Sequence, residues 1–189
     1  MIDCREHRGR RAAVCAVVVI AVASLLAGCA TPFSPALIRG EIARQTGQDP
    51  QGVFEMSLGR PTMALAKSVL GASTGGGSLP LAGVAAFEMA SYEIAVGAVG
   101  IDFTRMPIRG WEPFLKFREG PRSALVLIRP EGETVGDLVL VAGEAGRVLY
   151  ARIRGRLSRE LPEALGRTVR SDGPEAVRRE LLSIVEKPD

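Results

Sequence analysis

The sequence predicts an α+β fold: an antiparallel sheet ending in a four-strand meander, with helices packed on one face. Three observations carry this. Residues 114–118, 124–128, 135–142 and 148–154 are four apolar-rich runs of strand length. Between them lie Glu119-Gly120-Pro121-Arg122, Pro130-Glu131-Gly132 and Gly143-Glu144-Ala145-Gly146, which are turn sequences of hairpin length. After the last run come two segments with helical apolar spacing, and helices covering an antiparallel sheet make an α+β sandwich.

The remaining elements follow in order along the chain. Residues 37–46 suit a brief helix, stopped by Gly47-Gln48-Asp49-Pro50. Residues 53–58 read as a first strand, and Pro61 suits the first turn of a short amphipathic helix carrying Met63, Ala66 and Leu70. The glycine-rich stretch 73–78 is a loop; no Gly-Lys-Ser/Thr follows it, so it lacks the phosphate-binding P-loop pattern. Residues 85–94 alternate well enough for a strand, and 97–110 are irregular with room for one helical turn. Ser158 caps a helix bearing Leu161 and Leu165. Asp172-Gly173-Pro174-Glu175 then begins a last helix with Val177, Leu181 and Ile184 on one face.

The N-terminus points to export. Residues 1–11 are polar and basic, and residues 12–27 carry no charge. A basic segment followed by a short apolar run is the pattern of a secretory signal. The run is shorter than the roughly 20 residues a membrane span needs. It ends in Leu26-Ala27-Gly28-Cys29, which resembles the lipobox of bacterial lipoproteins. That resemblance implies acylation of the Cys29 thiol and cleavage before it. The expected organisation is a signal peptide over residues 1–28 and a lipidated tether with a short helix over 29–52. The α+β domain follows over 53–170, and the C-terminal helix over 171–189. Ala30, where an aspartate would favour retention at the inner membrane, points to the periplasmic face of the outer membrane in a Gram-negative cell.

Cleavage before Cys29 reshapes the chemistry that remains. Cys4, Cys15 and the single histidine, His7, lie in the discarded segment. With Cys29 acylated, the mature chain holds no histidine and no free thiol. Ser-His-Asp and Cys-His catalysis are then excluded, as are Cys/His zinc sites and histidine-held haem. No cofactor or metal is expected. The whole chain has 24 basic and 21 acidic side chains, and residues 1–28 take four and two of them, leaving 20 against 19. A mature charge near +1 makes no case for nucleic acid as a partner.

Trp111-Glu112-Pro113, Arg118-Glu119, Glu133, Asp137-Leu138-Val139 and Ile153-Arg154-Gly155-Arg156-Leu157 resemble the bacterial lipoproteins of the domain of unknown function 4252 family. The resemblance extends over residues 54–165. It implies a secreted or lipid-anchored α+β domain without an established activity and without catalytic residues to carry over. It also implies a link to extracytoplasmic-function sigma factors, and so to envelope signalling.

Several constellations have a functional and a plain reading. Tyr150, Arg152, Arg154 and Arg156 recur at period two and share a strand face. They form either a stripe for anionic headgroups or an acidic partner, or a solvated sheet face. Trp111 is either a core cap or an exposed anchor, the core being favoured. Glu88 with Glu93, or Glu131 with Glu133, would have to converge to serve as hydrolytic carboxylates. Lys67 lacks the Ser-x-x-Lys spacing of a serine–lysine catalyst. The expected function is therefore a membrane-anchored, non-catalytic binding or signalling module with an envelope protein as partner. The alternative is a carboxylate-dependent hydrolase of envelope glycan or peptide.

Overall fold

The two-residue turns of the second half leave successive strands no choice but to run antiparallel. The computed structural model describes residues 32–64, 83–94 and 100–186. The expected signal peptide, Cys29, the glycine-rich loop 73–78 and Lys67 lie outside the described residues. The described elements are α1 (Pro35–Thr46), β1 (Gln51–Leu58), β2 (Val84–Glu93), a 3-10 turn (Phe103–Arg105), β3 (Glu112–Glu119), β4 (Arg122–Glu131), β5 (Thr134–Glu144), β6 (Arg147–Leu157) and α2 (Glu160–Glu186). Residues 60–64, after β1, are also helical, with the Met63 N–H donating to the Gly59 carbonyl.

The six strands form one sheet in the order β1-β2-β6-β5-β4-β3. The predicted meander is its β3–β6 part, with Glu119 opposite Arg122, Glu131 opposite Thr134 and Glu144 opposite Arg147. The last turn places both central residues at positive φ, Ala145 at 48° and Gly146 at 80°. This is the twist that a two-residue hairpin demands. The first half of the chain adds β2 against β6 and β1 outside it.

The expectation that helices cover one face needs correction. On one face Leu138, Leu140, Ala142, Ala124, Val126, Leu149 and Ala151 pack with Leu165, Val169, Val177 and Leu181 of α2. On the other, Val139, Val141, Leu125, Leu127, Val148 and Tyr150 pack with Phe33 and with Ile38 and Ile42 of α1. The reason lies in the strands themselves. Residues 124–127 and 138–142 are buried at every position, so neither face can be left to water. Helix α1 therefore belongs to the folded domain, whose compact unit runs from Thr31 to Asp189, and not to a tether outside it.

Local chemistry sets the helix ends. The Ser34 side chain accepts from the Leu37 N–H at 3.3 Å, Pro35 opens α1, and Gly47 closes it at φ 71°. The Gln45 side chain fastens α1 to the loop before the 3-10 turn. Its amide donates to the Asp102 carbonyl at 3.0 Å, and its oxygen accepts from the Asp102 N–H at 2.8 Å. The Ser158 hydroxyl accepts from the Glu160 N–H at 3.1 Å. The two C-terminal helices expected from the sequence meet at Gly173, whose φ of 76° and ψ of −177° break the helical path just before Pro174.

Alanine pays a steric cost in the left-handed region that asparagine largely avoids. Ala145→Asn is expected to raise stability by up to about 1 kcal/mol, read as a higher urea midpoint with an unchanged slope. Asp102 accepts from the Thr104 hydroxyl and N–H and pairs with Arg118 and Arg105, which holds its carboxyl below the ordinary aspartate range. Its contribution to stability is present above its unfolded value, about pH 4, and is lost as the pH falls through the lowered native value. Asp102→Asn is expected to flatten the stability–pH curve below about pH 4, measured by chemical denaturation at successive pH values.

Candidate functional site: a charged row beside the N-terminal segment

At one end of the α1 face the apolar core gives way to charge. The register puts Arg129 of β4 opposite Asp137 of β5, Asp137 opposite Arg154 of β6, and Arg152 of β6 opposite Glu88 of β2. The signs alternate across four neighbouring strands, which turns cross-strand neighbours into attractive pairs.

The tightest pair is diagonal. Arg152 donates through Nε to Asp137 Oδ1 at 3.0 Å and through Nη2 to Oδ2 at 2.6 Å. This is the two-pronged geometry that a planar guanidinium and a carboxylate favour. Both side chains are nearly buried, at 16% and 10% exposure. The Asp137 hydrogen bond is the main cause that raises the Arg152 pKa above its already high ordinary value. Arg154 donates to Glu88 Oε1 at 2.8 Å. Arg129 donates to the Gly110 carbonyl at 3.1 Å, approaches Asp137 at 4.0 Å and lies 4.2 Å above the Trp111 ring. A cation over an indole face is an attractive arrangement.

This row receives the segment before α1. Phe33 is fully buried and meets Trp111 edge-on, with ring centroids 5.4 Å apart. Its carbonyl accepts from Arg152 Nη1 at 2.9 Å and from the Tyr150 hydroxyl at 3.2 Å. The Tyr92 hydroxyl donates to the Pro35 carbonyl at 3.0 Å. Burial raises the pKa of both phenols, that of Tyr92 to about 12, with Glu88 adding to the effect at Tyr150 and Glu55 at Tyr92. Both phenols therefore stay protonated donors at neutral pH.

The sequence-predicted residues separate accordingly. Tyr150, Arg152 and Arg154 share a face; Tyr150 and Arg152 bond the Phe33 carbonyl, and Asp137 and Glu88 pair Arg152 and Arg154. The stripe stays solvated towards its end, where the Arg154 side chain is 43% exposed and Arg156 is exposed. Trp111 caps the core at 8% exposure. Glu88 and Glu93 lie an odd number of positions apart on β2 and point to opposite faces, so they do not converge. Glu93 instead pairs with Arg147. Glu131 and Glu133 are exposed at the β4–β5 turn. Sequence reasoning missed Asp137 as a site residue. Its one signal is a lone carboxylate in the otherwise apolar run 135–142.

A groove opens beside the charged row. It has a volume of about 590 Å³ and is bordered by Arg60, Arg129, Arg154 and Arg156, with Glu131 and Asp137 as its carboxylates. Gly155, at φ 148°, sits at a register shift where β2 departs from regular pairing with β6. A side chain there would run into the Gly83 carbonyl.

No known family, curated protein or solved structure matches this chain. The likeness to the 4252 family rests on the quoted residues alone. Among the described residues, no group of three or more acidic, histidine or cysteine side chains is placed to hold a metal ion. No helix among them is long and apolar enough to cross a membrane.

Removing the carboxylate from the tightest pair isolates a nearly buried guanidinium. Asp137→Ala is expected to cost about 3 kcal/mol, measured as a fall in the urea midpoint. An unchanged midpoint would show that water replaces the carboxylate without penalty.

Proposed function

We propose that this chain is a lipid-anchored protein of the bacterial cell envelope, acylated on Cys29, whose α+β domain is a non-catalytic binding or signalling module. One feature carries the proposal: the lipobox-like Leu26-Ala27-Gly28-Cys29 precedes by only four residues a side chain, Phe33, seated in the domain core. Four peptide units reach at most about 14 Å. A lipid on Cys29 would hold the domain close against the membrane surface, with no long leash between them.

The energetics favour a stable anchor. Each buried methylene contributes about 0.8 kcal/mol, and more than one acyl chain is needed for lasting attachment. A diacylated or triacylated cysteine meets that need. Ala30 supports the periplasmic face of the outer membrane as the location in a Gram-negative cell. The expected partners are the membrane itself, through the lipid, and another envelope protein. The separation of Glu88 from Glu93 onto opposite faces gives a carboxylate-dependent hydrolase no support from that pair.

Cys29→Ala is expected to abolish labelling by a fatty-acid analogue and to leave the precursor at its unprocessed mass, read by gel shift and mass spectrometry. Persistent labelling of the variant would refute the anchor.

A further inference from the structure

We infer that the arginine-bordered groove holds the phosphate of an anionic glycerophospholipid headgroup. The groove has four guanidinium groups against two carboxylates. The cations are not equally committed. Arg154 is tied to Glu88, and Arg129 to the Gly110 carbonyl and the Trp111 face. Arg60 and Arg156 are exposed and make no ion pair or side-chain hydrogen bond among the described residues. They approach the groove from separate elements, the helical segment after β1 and the end of β6.

Two uncommitted guanidiniums beside two anchored ones raise the local potential, and a concave wall focuses it. Guanidinium forks match phosphate oxygens in pairs, and this geometry distinguishes arginine from lysine as a phosphate ligand. Asp137 contributes indirectly. Its carboxylate is occupied by Arg152, so it opposes an incoming anion less than a free carboxylate would. Glu131 is solvent-exposed, so water screens its charge, although its carboxylate lies against Gly136 in the groove lining.

The choice of a lipid headgroup as the phosphate's source rests on the lipoprotein reading. Asp137, on the groove wall, is bonded to Arg152, and Arg152 holds the Phe33 carbonyl, four residues from Cys29. A membrane within about 14 Å of Phe33 brings headgroups within reach of this end of the sheet. The groove is also far more spacious than a single phosphate ion requires, leaving room for the glycerol that follows it.

Trp111 is the only tryptophan of the chain and lies under Arg129, so its emission reports on the groove. The test uses the protein extracted from envelope membranes in a neutral detergent. It is titrated separately with short-chain phosphatidylglycerol, phosphatidylcholine of the same chain length, and inorganic phosphate. Phosphatidylglycerol is expected to give a saturable change in emission that weakens with added salt. The double variant Arg60→Gln/Arg156→Gln is expected to weaken it about tenfold or more, as the loss of charged hydrogen bonds implies. Arg39→Gln, which breaks an exposed pair between α1 and Asp49 in the loop after it, is expected to bind as wild type.

Equal responses to phosphatidylglycerol and phosphatidylcholine would overturn the inference, as would wild-type affinity in the double variant. Inorganic phosphate matching the lipid's affinity would assign the groove to free phosphate and overturn the headgroup. Fatty-acid labelling of Cys29 is read separately. A chain that takes no label yet binds phosphatidylglycerol through these arginines would refute the anchor while upholding the groove.

Discussion

The Arg152–Asp137 pair is the interaction on which this end of the molecule depends. Two nearly buried ions are tolerated only because each occupies the other's hydrogen-bonding capacity. The pair joins β5 to β6, and the third nitrogen of the guanidinium reaches the Phe33 carbonyl. Arg129 stacks on Trp111 and approaches the same carboxylate, while Trp111 meets Phe33 edge-on. One ion pair thus sets the boundary between apolar core and charged groove, and it fixes where the chain enters the fold.

That entry point matters because the sheet is covered on both sides. A sheet with one wet face could release its N-terminal segment at little cost. Here Phe33, Ile38 and Ile42 are fully buried against the second face, so detaching residues 33–42 would expose a core and two buried phenol hydroxyls at once. Residues 33–42 are thus a fixed part of the domain and not a loosely attached arm.

Most of the sheet was legible in the sequence, for a local reason. Hairpin turns and strand-length apolar runs specify neighbours that are close in the chain, and β3–β6 appear where those signals fall. The Gly173-Pro174 break and the Ser158 cap were legible for the same reason. The two-sided burial was encoded less visibly: the runs 124–127 and 138–142 have no polar position, which is incompatible with one wet face. The groove was not legible. Its arginines come from the segment after β1 and from β4 and β6, and its shape depends on the register shift near Gly155.

The sequence alone determined the meander, the helix caps and the lipobox-like tetrapeptide, because each is a short-range pattern of turn chemistry, periodicity or residue size. It also determined that residues 29–189 contain no histidine and no cysteine other than Cys29. Tertiary structure decided which of the period-two arginines are paired and which make no ion pair among the described residues. Period two places Arg152 and Arg154 on one face. Only the neighbouring strands supply Asp137 and Glu88, and only a segment more than a hundred residues away in sequence brings the Phe33 carbonyl to Arg152. Partners that arrive across a sheet register and from a distant part of the chain leave no mark on local sequence pattern.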